Sequence, residues 1–526
     1  YVELTAGDFG TAWELAREAF SYNHKPHSSY TQYAHFLLLK GQIAEAEKIL
    51  EQLSVIRSNK DNDSHVPRLK AKISEARGDY AEAEKWFQIA NNAYAQAQGD
   101  WRYSATMMNN RYIARNVARQ GRIAEAELIT RAAIRDALER FGTYNNPEMA
   151  MHLVDLARFR GQGGDFQGAL ELTDAASEIL DAANYPKTTW LRYYLAKHQS
   201  TAHIALGNVK KAHEVMSPTA QRFREEYAAG YESRFRGDFN RLFINALVDP
   251  SEQDLRDIRT TRSEIEKQLG AKHLRSAVIT GIEGVYHSQK GQHGEAIVAF
   301  QEAYKTLFSR SRQSKTEGES DLFFQKRAVY MAENYLESLM AKAAEAGNNN
   351  NKSLVESAFE VASRARGQVL SEVMSSSASR ATFNDPELQE LARREQDAQR
   401  QIKALFGLLA QATNNGTPSE KLTELKITID DLRASRAALF EQIEKRFPDY
   451  ASLINPKPAT PSEVAEKLNS NEALVAFYFT PKQSYAFLVK NGKSVRYHIS
   501  DLKRSELRTA VKTLRAALDP AAEILG

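Results

Sequence analysis

Four arginines recur in the run NNRYIARNVARQGR, at Arg111, Arg115, Arg119 and Arg122. The first three are four residues apart, so on a helix they form one stripe of guanidinium groups. Paired N–H···O bonds from such a stripe suit a carboxylate, which makes an acidic peptide or a carboxylate terminus the ligand of choice. The expectation favoured over that site is a solvated face neutralised by acidic neighbours. His24 and His27 have the H-x-x-H spacing of a helical metal pair. Pro26 between them argues against a helix interior, and no acidic partner is close in sequence, so a solvated turn is expected there and no metal ligand is assigned. Trp190, Tyr193 and Tyr194 could stack nucleic-acid bases, yet at helical spacing they read as packing between helices. The 526 residues include no cysteine, which excludes a thiolate nucleophile, a disulfide and a cysteine metal site. No catalytic residue and no cofactor is assigned.

Bulk properties narrow the partner class. Lysine plus arginine number 70 against 67 aspartate plus glutamate, a net charge of +3. Binding by counterion release needs a basic footprint, so nucleic acid is expected only through a protein complex. No apolar run approaches the roughly 18 residues of a membrane span. The chain is read as cytoplasmic, with a removed targeting peptide left open because the sequence starts at Tyr1 and enters a helix almost at once.

The elements that carry these residues follow a repeat. Gly, a large apolar residue two on and Ala five on recur at Gly7, Gly41, Gly78, Gly121, Gly164, Gly207 and Gly291, with His293 in the apolar place of the last. The steps are 34, 37, 43, 43, 43 and 84 residues, so a degenerate unit belongs near Asp249-Pro250-Ser251. Gly is read as allowing two antiparallel helices to approach at their turn, and Ala as the packing contact between them. The pattern resembles the tetratricopeptide repeat, whose period is about 34 residues. That resemblance implies an α-superhelix over 1–372 whose first helices line an inner groove. Gly347 to Asn351 separates Leu336–Ala346 from the helix with SAFEVASRARGQVL, which together read as a final variant helix pair, and the Ser-rich run Ser375 to Ser379 reads as the linker that ends the array.

A different period occupies 373–455. Leu388, Leu391, Glu395, Ala398, Ile402, Leu405 and Leu409 are spaced alternately three and four, as are Leu422, Leu425, Ile429, Leu432, Arg436, Leu439 and Ile443. These are two heptad seams joined by a short loop, an antiparallel helical hairpin. Asp385-Pro386 and Thr417-Pro418-Ser419-Glu420 are capped helix starts. Antiparallel pairing sets the third position of one seam against the fifth of the other, Glu395 against Arg436. One opposite charge per seam penalises a slipped register.

Strand patterns appear over 456–526. Thr460-Pro461-Ser462-Glu463 caps a short helix, Ala473 to Thr480 is suited to a buried central strand, and Asn491-Gly492 marks a hairpin. An amphipathic helix with Leu507, Val511, Leu514 and Leu518 follows. The helix AFEVASRARGQVLSEV, the linker DYASLINPKP and the strands NEALVAFYFTPKQSYAFLV with RSELRTAVKTLRAAL resemble the CHAT family, a caspase-like protease module found behind tetratricopeptide arrays. The resemblance implies a mainly α chain with the incomplete start of an α/β caspase-like domain, belonging to a longer cysteine endopeptidase. The family's histidine, in a His-Gly step, and its cysteine have no counterpart here; His498 lies in YHIS. The implied role is recognition and regulation, the superhelix groove binding a protein or peptide that controls the protease. A non-catalytic interaction scaffold is the alternative, and the oligomeric state is left open.

Overall fold

The computed structural model describes residues 9–22, 26–39, 42–56, 64–77, 79–97, 99, 101–120, 122–142, 147–226, 235–307, 322–347, 351–381, 385–414, 419–448, 459–492 and 495–518. They form 21 helices and one three-stranded sheet. The helices in order are α1 (Phe9–Ser21), α2 (Pro26–Leu39), α3 (Ile43–Val55), α4 (His65–Arg77), α5 (Tyr80–Gln96), α6 (Trp101–Arg119) and α7 (Ile123–Phe141). Next come α8 (Pro147–Gln162), α9 (Phe166–Ala182), α10 (Trp190–Ala205), α11 (Val209–Glu226), α12 (Phe239–Val248), α13 (Glu252–Leu269), α14 (Leu274–Gln289) and α15 (His293–Leu307). The remainder are α16 (Leu322–Ala346), α17 (Lys352–Ala381), α18 (Pro386–Asn414), α19 (Ser419–Arg446), α20 (Pro461–Lys467), strands β1 (Ala473–Phe479), β2 (Ser484–Lys490) and β3 (Arg496–Ser500), and α21 (Arg504–Ala517). Two compact units divide the chain: Tyr1–Ile282, Thr306–Arg327 and Arg393–Leu439 in one, Glu283–Lys305, Ala328–Ala392 and Phe440–Gly526 in the other.

Even-numbered helices from α2 to α16 are the first members of pairs and the odd-numbered ones the second. The repeat signature explains the join. Its seven alanines, at 12, 46, 83, 126, 169, 212 and 296, are all at most 4% exposed, because a methyl is the largest group that fits where the second helix meets the first. The glycines act by dihedral angle. Gly164, Gly207 and Gly291 have φ of +93°, +85° and +72°, a left-handed region that costs any residue with a Cβ. At Gly207 and Gly291 an added Cβ would meet nothing within 4 Å, so close approach, the reason inferred from sequence, is not the constraint at those turns. The other signature glycines, 7, 41, 78 and 121, lie outside the described residues. Asp79 and Asp165, following their glycines, cap α5 and α9 by accepting from Glu82 N and Gly168 N.

The degenerate unit sits where the 84-residue step places it. α12 ends at Val248, and Ser251 opens α13 with a reciprocal capping box to Asp254. The Ser-rich run at 375–379 is a correction: α17 continues through it to Ala381. Serine costs a helix less than about 0.7 kcal/mol per residue and the run holds no Gly or Pro, so nothing in it stops a helix.

In the hairpin, Asp385 Oδ1 accepts from the backbone N–H groups of Glu387 and Leu388, the N-cap expected there. Arg436 Nη2 stands 2.7 Å from Glu395 Oε1, with both side chains buried. Ile402 packs on Ile429 amid Leu405, Leu425 and Leu432, the same antiparallel register two layers on. Residues 415–418, with part of the second capped start and the loop after Asn414, lie outside the described residues.

The sheet has order β1-β2-β3, antiparallel throughout, with Ala476 opposite Phe487 and Tyr485 opposite Ile499. Among the described residues β1 pairs with β2 alone and lies at the edge of the sheet, where its apolar run predicts a buried central strand. Ala476 and Tyr478 are buried, while Val475 and Phe477 on the other face are 49% and 54% exposed. β2 holds the centre through Tyr485, Phe487 and Val489, and Phe359 of α17 meets Phe487 edge-on. Five residues separate β2 from β3, so Asn491-Gly492 locates the hairpin without forming a two-residue turn. Among the described residues α21 buries none of its side chains.

Candidate recognition surface

The polar residues of the first helices join one pair to the next. Arg119 Nη1 of α6 donates to Glu75 Oε1 of α4 at 2.8 Å, across 44 residues. Arg111 Nε and Arg115 Nε of α6 donate to Asp155 of α8 at 2.8 and 3.0 Å, across 44 and 40 residues. Tyr194 of α10 donates to Asp155 at 3.2 Å, and Lys197 of α10 reaches Asp238, the N-cap of α12, at 2.7 Å. In the second unit Gln289 of α14 bonds Asn334 of α16 across 45 residues. Each separation is close to one repeat, so the sequence period and the hydrogen-bond period are the same quantity.

The arginine stripe thus meets carboxylates of its own chain, and its members differ. Arg111 is 7% exposed, so this end of the stripe is internal rather than solvated. Asp155 is fully buried and shared by Arg111 and Arg115. Burial alone would raise its carboxyl, but the two guanidinium groups outweigh burial and hold it well below the usual carboxylate range. Arg119, at 36% side-chain exposure, pairs with Glu75 at the solvent edge. Arg122 leaves the stripe: it stands at the N-cap of α7 and pairs with Glu125 and, at 3.0 Å, Glu84.

Lys72 of α4 completes the cluster. Its Nζ lies 3.0 Å from the ring centroid of Tyr112, whose ring also stacks on Phe87 at 5.2 Å, and 3.6 Å from Glu75 Oε2. Burial would raise the Tyr112 phenol, yet Lys72 and Arg68 bring it down to about 8. Burial, aided by Arg68, lowers His65 to about 4, and burial with Arg111 lowers His152 to about 3. Neither ring nitrogen of His152 has a hydrogen-bond partner, nor has Arg111 Nη2. The cations thus override burial at Asp155 and Tyr112, whereas at His65 and His152 burial is the larger cause and the arginines add to it.

Sequence reasoning missed Lys72, Glu75, Tyr112 and Asp155. A usable signal was present: Glu75 lies one repeat before Arg119, and Asp155 one repeat after Arg111 and Arg115.

The other singled-out residues are structural. Trp190, Tyr193 and Tyr194 are engaged internally, Tyr193 stacking on Phe223 at 4.8 Å and Tyr194 meeting Trp190 and His198. His27 is 5% exposed in the first turn of α2, with its ring 6.2 Å from that of His65, so the solvated turn expected there is corrected to a buried contact. His24 lies outside the described residues. Among the described residues no cluster of three metal-ligating side chains occurs, and no helix is long and apolar enough to cross a membrane. His498 is exposed on β3 opposite Ala486. In the second unit Arg504 pairs with buried Glu333, and Lys482 reaches Glu337 at 2.9 Å, tying the sheet to α16. Burial raises Glu333 to about 7 against the opposing pull of Arg504. Neither a protein-family model nor a curated protein sequence matches the chain.

Proposed function

We propose that this chain is a recognition and regulatory module in which the first helices of a tetratricopeptide-type array bind a protein or peptide partner, and that it serves a caspase-like cysteine peptidase of the CHAT kind. The cationic cluster on α4, α6 and α8 carries the first half of the reading, because charge accumulated on successive first helices is costly to a fold unless something uses it. The second half rests on the sequence resemblance of the C-terminal strands and helix. The chain has no cysteine, so a thiolate nucleophile would have to come from another segment or another chain.

Photoreactive residues at Ser104 of α6 and Thr201 of α10, compared with Leu128 and Val55 on second helices, test the binding face. Cross-links to a co-purified partner confined to Ser104 and Thr201 support it; cross-links confined to Leu128 and Val55 refute it. A partner whose addition changes thiol-dependent peptidase activity in the full-length protein supports regulation, whereas a partner with no such effect leaves the interaction scaffold as the function.

A further inference from the structure

The degenerate pair, α12 and α13, is joined by charge where the signature pairs are joined by methyl groups. In α5 the buried residues are Ala83, Phe87, Ala90 and Tyr94. In α13 the same spacing falls on Asp254, Ile258, Thr261 and Ile265, all of them buried. Asp254 therefore stands where the signature alanine stands elsewhere. Its charge is answered from α12, where Arg241, 1% exposed, donates to Asp254 Oδ1 at 3.2 Å and to Asp257 Oδ2 at 2.7 Å. Arg241 also donates to the carbonyls of Phe235 and Arg236, and its guanidinium lies over the Phe235 ring. Asp257 accepts from Arg224 of α11 as well, and Asp254 from Asn245. The first helix of this pair is short: α12 has 10 residues, against 19 in α6 and 16 in α8 and α10. At its far end α13 meets the hairpin, where Leu269 packs on the layer of Ile402 and Ile429.

We propose that the α12–α13 pair is a hinge of the first unit, at which the array bends and the hairpin moves with α13. The reason lies in what water regains when the pair opens. Parting two apolar helices exposes hydrocarbon and recovers nothing. Parting α12 from α13 returns a guanidinium and two carboxylates to water, and so recovers the desolvation cost that their burial imposed. An array is stable as a sum of its units and their interfaces, so it opens at the weakest of them. The ionic join also defines the closed state, because the planar fork of Arg241 meets both carboxylates in one arrangement.

The chain has no cysteine, so introduced cysteines can carry spin labels for distance measurement in the otherwise unchanged protein. Lys211→Cys with Arg256→Cys spans the α12–α13 pair, Glu171→Cys with Lys211→Cys spans the α10–α11 pair, and Arg256→Cys with Asp431→Cys joins α13 to the hairpin; all four positions are exposed. The first pair of labels should give the broadest distance distribution, and the third should stay as narrow as the second. Amide exchange supplies a readout that needs no substitution: α12 and α13 should exchange faster than α8 and α9, through an opening that varies little with denaturant. Arg241→Met with Asp254→Ala and Asp257→Leu, which replaces the ions by hydrocarbon, should narrow the first distribution and slow that exchange about tenfold. Equal widths for the first two label pairs, or exchange in α12 and α13 as slow as in α8 and α9, would overturn the hinge. Unslowed exchange in a folded triple variant would overturn it too, by showing that the ionic join holds the pair shut. If the triple variant does not fold, the two comparisons within the wild-type background decide.

Discussion

Two buried ionic sites in this molecule are built on opposite principles. Glu395 and Arg436 meet in the hairpin, each the single charge in an otherwise apolar seam. Asp155 is shared by Arg111 and Arg115 and also accepts from Tyr194. The balanced pair fixes a register, because sliding either helix would strand a charge among leucines. The shared cluster instead joins successive first helices, Glu75 of α4 holding α6 and Asp155 of α8 holding both α6 and α10. An isolated pair sets the register of two helices, whereas a shared carboxylate ties three helices together.

The largest effect should follow from removing the shared carboxylate. Asp155→Ala leaves two guanidinium groups facing each other in the core and should cost about 3–5 kcal/mol in chemical denaturation, the range for an orphaned buried charge. A loss as small as that of a surface substitution would mean that solvent already reaches the site. At the hairpin, Arg436→Met alone should cost about as much, whereas Glu395→Met with Arg436→Met should be close to neutral. Equal losses from the single and double variants would show that the pair stabilises rather than specifies, and the comparison would fail.

Acid should act on the two units with opposite sign. His152 and His65 titrate at about 3 and about 4 in the fold and near 6.5 when unfolded. The unfolded chain therefore takes up protons first, and the first unit should lose stability as pH falls from about 6.5 towards 4. Glu333 has its folded value raised to about 7 from 4.5, so the folded second unit holds the extra proton and Glu333 adds stability as pH falls through that window. Hydrogen exchange followed against pH should resolve both trends, and Glu333→Gln should remove only the second. The smallest effect belongs to Arg122, exposed at its N-cap: Arg122→Ala should leave the denaturation midpoint unchanged, in contrast with Arg111→Ala.

Local and periodic features were legible before the structure. The Gly–Ala signature located helix pairs because a left-handed turn and a methyl-sized gap are requirements of single positions. The hairpin register followed from one charge in each seam. Features that depend on which residues lie across from one another were harder to see. Asp155 and Glu75 look like ordinary surface acids until the repeat sets them one period from their arginines. β1 reads as a central strand because an apolar run records hydrophobicity and not the number of neighbouring strands. The Ser-rich run reads as a linker because composition stands in for propensity, and serine is not a helix breaker.

The cations beside Tyr112 can be measured at one proton. Selective carbon labelling of the Tyr112 ring, with its chemical shift followed against pH, reports the phenol that Lys72 and Arg68 act upon. The contact of Lys72 with the Tyr112 ring predicts titration near 8, returning towards 10 or above in Lys72→Gln, since burial alone raises a phenol. A wild-type Tyr112 that stays protonated past pH 10 would contradict it.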